Sequence, residues 1–178
     1  YEYDWKDNVI KEESSKLDGT QNITIQTSYD EVGNKISETD GNNNTTTYSY
    51  DSKDNLVQKT DANGNTTIYE YDRFDNMISE TDHLGNKKTY VYDLLNRLIE
   101  KKDSYGNVIE RLEYDEQGRQ TKSIDANNNS IKYEYDKVDN VVKIIDELES
   151  VETFEYDANY NKTKHTDKNG NVTKYEYD

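Results

Sequence analysis

Short runs of sheet-forming residues alternate with polar punctuation along the whole chain. Segments rich in Ile, Val, Thr and Tyr, such as Lys35 to Thr39, Thr45 to Tyr50, Thr66 to Tyr71 and Met77 to Thr81, lie between clusters of Asp, Gly and Asn. That is the pattern of strands bounded by turns. In Tyr48-Ser49-Tyr50, Tyr69-Glu70-Tyr71, Tyr133-Glu134-Tyr135 and Tyr175-Glu176-Tyr177 the rings stand two apart, so both project from one face of a strand.

The pattern repeats. A Tyr-Asp pair ends at Asp4, Asp30, Asp51, Asp72, Asp93, Asp115, Asp136, Asp157 and Asp178, at spacings of 26, 21, 21, 21, 22, 21, 21 and 21 residues. Eight repeats therefore fill residues 1–178, and no separate second domain is expected. A second aspartate falls ten residues after the first in seven repeats, at Asp40, Asp61, Asp82, Asp103, Asp125, Asp146 and Asp167. Three residues after either aspartate, Gly33, Gly64, Gly85, Gly106, Gly118 and Gly170 recur, or else Asn or Asp, with Tyr160 and Glu149 as the exceptions.

An aspartate at the head of a turn can bond its carboxylate to backbone N–H groups further on, and a residue three later tolerates the left-handed conformation. This predicts turn caps at Asp30, Asp40, Asp51, Asp61, Asp72, Asp82, Asp93, Asp103, Asp115, Asp125, Asp136, Asp157 and Asp167, with the glycines in the left-handed position. Type I turns closed by such a residue and a bulge are common hairpin connections. Each repeat is then one hairpin, and the chain an all-β antiparallel meander of roughly sixteen strands. A sheet that long curls rather than staying flat, so a continuous, curved, spiralling ribbon is expected.

A structural tyrosine ladder follows, formed by Tyr48, Tyr50, Tyr69, Tyr71, Tyr90, Tyr92, Tyr114, Tyr133, Tyr135 and Tyr156. Successive pairs lie about 10 Å apart, two strand spacings, and ring packing between adjacent hairpins is the expected bond. Strand register stays open. Apolar residues occur five residues after the aspartate (Leu56, Met77, Leu98, Val141) and also six after it (Ile36, Val57, Ile78, Ile99, Val142), which makes both faces partly apolar. Two departures stand out. The first repeat has five extra residues, and Val9 to Lys16, Asp18-Gly19 and Ile23 to Tyr29 suggest a longer, protruding hairpin. The second turn of the seventh repeat, Asp146-Glu147-Leu148-Glu149-Ser150, lacks Gly-Asn and should be less well determined.

Composition sharpens this picture. Leu, Ile, Val and Phe total 32 of 178 residues, below the roughly 20% usual in packed domains, and the net charge is −16. Such numbers usually mean disorder, but the repeat and the 17 tyrosines argue for folding. Proline is absent, as a chain that needs nearly every N–H for a ladder requires. The acidic balance disfavours nucleic acid and anionic membrane surfaces as partners. No apolar run is long enough to insert in a membrane, and no signal pattern opens the sequence. Without cysteine there is no disulfide or thiolate chemistry.

Catalysis needs a cleft that separates the pKa values of its carboxylates, whereas these aspartates recur in every repeat, as turn caps do. No catalytic residue and no enzyme activity are expected. His83 and His165 are unrepeated, lack companions at metal-ligand spacing, and read as ordinary surface residues. Calcium is the cofactor to weigh, since rows of Asp and Asn supply oxygen ligands. Yet Asp61 to Asn65 places Gly fourth, where an EF-hand loop needs it sixth, so the expectation is no cofactor. Sequons such as Asn22-Ile23-Thr24, Asn65-Thr66-Thr67 and Asn171-Val172-Thr173 follow from an Asn- and Thr-rich composition.

Tyr-x-Tyr-Asp-x-x-Gly-(Asn/Arg)-x-Ile…Asp-x-x-Gly-Asn at this period resembles the YD-repeat, or Rhs-repeat, family, with Leu95-Asn96-Arg97-Leu98 and Glu116-Gln117-Gly118-Arg119 nearest its form. That family includes bacterial Rhs and polymorphic toxins, wall-associated proteins, the toxin-complex C component and teneurins. The resemblance implies hairpins spiralling into a hollow shell which, in the bacterial toxins, encloses a C-terminal toxic polypeptide. The Pro- and Gly-rich core motif that closes such shells has no counterpart here, which implies an internal piece of shell wall in a secreted or cell-surface protein. The implied partners are further YD repeats of the same parent chain and an enclosed toxin polypeptide. Unpaired edges add weak edge-to-edge self-association. A second reading stays open, in which the tyrosine ladder stacks on sugars and the chain is a carbohydrate- or cell-surface-binding module.

Overall fold

The protein is described by a computed structural model covering residues 1–15 and 22–177. Every element is a β-strand, and every ladder resolved within a half is antiparallel: β1 (Glu2–Tyr3), β2 (Val9–Ser15), β3 (Asn22–Tyr29), β4 (Lys35–Thr39), β5 (Thr45–Tyr50), β6 (Leu56–Thr60), β7 (Thr66–Tyr71), β8 (Met77–Thr81) and β9 (Lys87–Tyr92), then β10 (Leu98–Lys102), β11 (Val108–Tyr114), β12 (Gln120–Asp125), β13 (Ser130–Tyr135), β14 (Val141–Ile145), β15 (Val151–Tyr156), β16 (Lys162–Thr166) and β17 (Val172–Lys174). The chain divides into two compact halves, Tyr1–Thr89 and Tyr90–Asp178, with the division inside β9. In the first half each strand from β1 to β9 pairs with its sequence neighbours, and in the second each from β10 to β17 does so. The long hairpin expected in the first repeat is β2–β3, paired from Lys11↔Gln26 to Ser15↔Asn22. Its tip, with Lys16 and Asp18-Gly19, lies outside the described residues.

The register question has a geometric answer. After the Tyr-Asp turn the pairing skips one residue: Tyr50 faces Leu56 while Ser49 faces Gln58, and Tyr71 faces Met77 while Glu70 faces Ser79. Val57 and Ile78 are therefore bulges, as are Ile36, Thr121 and Val142 at equivalent places. Cross-strand partners share a face, so the residue five after the aspartate sits on the tyrosine face and the next is the unpaired one. The doubled apolar position thus records a bulge and leaves the face assignment intact.

The 22-residue repeat uses the same device. Lys102 pairs with Val108 and Lys101 with Glu110, so its additional residue is absorbed by a bulge at Ile109.

The face opposite the tyrosines carries the intervening residues, which pair as Glu113↔Lys122, Glu134↔Lys143 and Glu155↔Lys164. Among the described residues no apolar side chain is buried; the buried ones are Ser79 at 2% and Asp146 at 9% exposure. Backbone ladders and polar contacts carry the fold instead of an apolar core.

Candidate functional site

The chemistry that recurs is the turn. At Asp61 the backbone N–H donates to the Asn65 carbonyl at 3.0 Å and the Gly64 N–H donates back to the Asp61 carbonyl at 3.0 Å. Asp61 Oδ1 accepts the Asn63 and Asn65 N–H groups, both at 2.9 Å, and Oδ2 accepts Asn65 Nδ2 at 2.8 Å. Asp30, Asp40, Asp51, Asp72, Asp82, Asp103, Asp125, Asp136, Asp157 and Asp167 bind the residues two and four later in the same way, and Asp93 and Asp115 hold Arg97 and Arg119. The side-chain and backbone bonds from Asn44, Asn65, Asn86 and Asn171 hold the carboxyls of Asp40, Asp61, Asp82 and Asp167 below the ordinary aspartate range.

The third residue is left-handed in each described turn. Gly33, Gly64, Gly85, Gly106, Gly118 and Gly170 have φ between 82° and 108°, and elsewhere Asp, Asn, Glu149 at 58° or Tyr160 at 65° adopts the same backbone.

The second turn of the seventh repeat corrects the expectation of a less determined rim. Asp146 closes it with the usual bonds, from Glu149 N–H to the Asp146 carbonyl at 3.0 Å and from Leu148 and Ser150 N–H to Oδ1 at 3.0 and 2.9 Å. Ser150 cannot reach Oδ2 as Asn does, and Lys168 Nζ from the following repeat's second turn takes that oxygen at 2.6 Å. Lys168, with the Ser150 N–H, lowers the Asp146 carboxyl to about 2.

Hydroxyls of the ladder tyrosines add a contact that ring packing alone does not require. Each such hydroxyl reaches the adjacent strand. Tyr50, Tyr71, Tyr114, Tyr135 and Tyr156 donate to the backbone carbonyls of Lys35, Leu56, Leu98, Gln120 and Val141 in the preceding repeat, at 2.7–3.0 Å. Tyr29 and Tyr177 repeat the contact with Val9 and Lys162. Burial raises the pKa of Tyr50, Tyr71, Tyr135 and Tyr156. The other tyrosine of each pair, Tyr48, Tyr69 or Tyr133, sits on the same face and pairs across the strand with Lys59, Glu80 or Ile144. Tyr90 and Tyr92 hold the matching places on β9.

Sequence reasoning missed the side chain four residues after the Tyr-Asp aspartate. Arg97 and Arg119 each bind their own aspartate through Nε at 2.7 Å and reach the next repeat's Asp115 or Asp136 carbonyl through Nη1 at 3.1 and 3.0 Å. Their guanidinium carbons lie 4.7 and 4.8 Å from the ring centroids of Tyr114 and Tyr135, within cation–π range. The invariable Asn or Arg at that position was the available signal.

His165 is half-buried and stacked on Phe154 at 4.9 Å, with Glu152 at 3.2 Å, and is therefore more than a surface residue. Among the described residues no three His, Cys, Asp or Glu side chains converge to hold a metal ion, and no helix is long and apolar enough to cross a membrane.

The comparisons with known proteins agree with this geometry. No curated protein matches the chain. Among solved structures it is similar to the crystal structure of TcdB2-TccC3, at 18% identity over 81% of this chain and 9% of that one, with a TM-score of 0.66. It is also similar to TcdB2-TccC3-TEV, at 16% identity over 98% of this chain and 11% of that one, with a TM-score of 0.70. The Photorhabdus luminescens Tc holotoxin pore shares 18% identity over 86% of this chain and 10% of that one, with a TM-score of 0.67. The chain thus spans about a tenth of the length of these proteins. The RHS Repeat family model matches residues 29–66, 50–82, 71–108, 114–148 and 135–172, and on that ground, with the hairpin repeat and its Tyr-Asp turns, the chain belongs to the RHS repeat family.

Proposed function

We propose that the chain is a non-enzymatic structural module, one repeat array forming a wall segment of a β-spiral shell in a large secreted or cell-associated protein, and that the shell encloses a toxic polypeptide. The carrying observation is that each chemical group of note is used for the same internal purpose in repeat after repeat. The carboxylates close turns and the tyrosine hydroxyls bridge to the preceding repeat. A chain built this way supplies surface and length. The likeness to Tc toxin structures supports the reading.

The saccharide reading of the ladder is weakened because the hydroxyls of Tyr50, Tyr71, Tyr114, Tyr135 and Tyr156 are spent on backbone carbonyls. The array also works without a resident metal ion, since the turn carboxylates are already occupied by N–H donors.

Limited proteolysis of the full-length parent protein tests the enclosure. Cargo that resists protease while the array is intact, and is cut once the array is unfolded, is the expected result. Cargo cut at the same rate in both states contradicts it.

A further inference from the structure

Left-handed backbone is unfavourable for a residue with a Cβ, and glycine is the residue that adopts it at no steric cost. Aspartate nonetheless occupies that position at Asp7, Asp54, Asp75 and Asp139, with φ of 64°, 66°, 66° and 70°. All four belong to Tyr-Asp turns. In the second turns of the repeats the position holds glycine, Asn43, Asn128 or Glu149.

What the carboxylates touch accounts for the choice. Asn34 Nδ2 donates to Asp54 Oδ1 at 2.8 Å while also bonding Asp30 Oδ2 at 3.1 Å. Asn55 Nδ2 bonds Asp75 Oδ1 at 3.0 Å and Asp51 Oδ2 at 3.1 Å, and Lys53 Nζ joins it on Asp75 at 2.8 Å. Arg119 Nη1 donates to Asp139 Oδ1 at 2.9 Å. Each bond runs from the turn of one repeat to the turn of the next. Where the next turn has Gly118, Arg97 is left with the Asp115 carbonyl.

We infer that Asp54, Asp75 and Asp139, the left-handed aspartates of Tyr-Asp turns that follow another repeat here, are specificity-determining acceptors, each recognising the amide or guanidinium four residues after the preceding repeat's turn aspartate and so holding successive turns in register. The partner chemistry is a planar N–H donor that caps its own aspartate with one hydrogen and reaches forward with another. The inference goes beyond the shell reading and does not depend on it, because it concerns how repeats recognise each other whatever the array encloses.

Thermal unfolding of the 178-residue chain tests it, with Asp139→Gly made in the unmodified and in the Arg119→Ala background. In the unmodified chain the substitution should lower Tm by about 2–4 °C, since the lost bond outweighs the relieved backbone. In the Arg119→Ala background it should leave Tm unchanged or raise it, because only the relief remains. Should Arg119→Ala fail to fold, Asp54→Gly with and without Asn34→Ala carries the same comparison. Asn128→Gly, at a left-handed position in a second turn, gives the reference effect of glycine alone. Equal shifts in both backgrounds, or Asp139→Gly behaving like Asn128→Gly, would overturn the inference.

Discussion

Two polar side chains do most of the joining at the scale of single residues. Asp61 satisfies two backbone N–H groups and one amide with a single carboxylate. Because those bonds favour its ionised form, its pKa is lower folded than unfolded. A carboxyl depressed in this way stabilises the fold above its unfolded pKa, about 4, and loses that contribution as pH falls through the folded value. Asp61→Asn should therefore lower Tm at pH 7, with the gap closing below about pH 4. A gap that stays constant into strong acid would show that the charge is not what the turn uses. Asp146, lowered to about 2, keeps its contribution well below pH 4.

Tyr71 makes the complementary contact, donating to the Leu56 carbonyl at 3.0 Å. Tyr71→Phe removes one hydrogen bond and leaves the carbonyl wanting a donor, which should cost about 1 kcal/mol. Tyr69→Phe, two residues away, should stay within about 0.5 kcal/mol of the parent in chemical denaturation. Equal losses for the two variants would show that the rings, and not the hydroxyls, carry the contact.

At the scale of the strand, period-two reading identifies the elements but cannot place a bulge. Leu56-Val57, Met77-Ile78 and Val141-Val142 each offer two adjacent apolar residues, and a continuous ladder would send them to opposite faces. The structure sets the first across from Tyr50, Tyr71 or Tyr135 and leaves the second unpaired. The extra residue of the 22-residue repeat was visible in the spacing, whereas its seat at Ile109 depends on pairing with β10. Deleting Ile109 should leave the ladder intact and move Tm by only a few degrees, about the effect of 1 kcal/mol. Deleting Ile131, which lies in the unbroken Ser123↔Ile131 register, forces a slip and should cost far more. Comparable losses from the two deletions would refute the bulge assignment.

At the scale of the molecule the repeat made the fold class legible, because turn chemistry acts within five residues and recurs every 21. The joints between repeats were not legible. The destination of the Tyr71 hydroxyl and of the Arg119 guanidinium lies 15 and 17 residues back or ahead, and only the register reveals it. If carboxylates are saturated by N–H donors, chelation with EDTA should leave Tm unchanged, and a drop of several degrees would instead reveal a bound divalent ion.

The central claim is that polar contacts between repeats, in place of an apolar core, hold the array together, since no described apolar side chain is buried. The heat-capacity change on unfolding, measured by calorimetry, tests this most directly because it reports the apolar surface that unfolding exposes. The account predicts a value clearly below the about 12–15 cal/mol/K per residue of ordinary globular domains. A value within or above that range would contradict it.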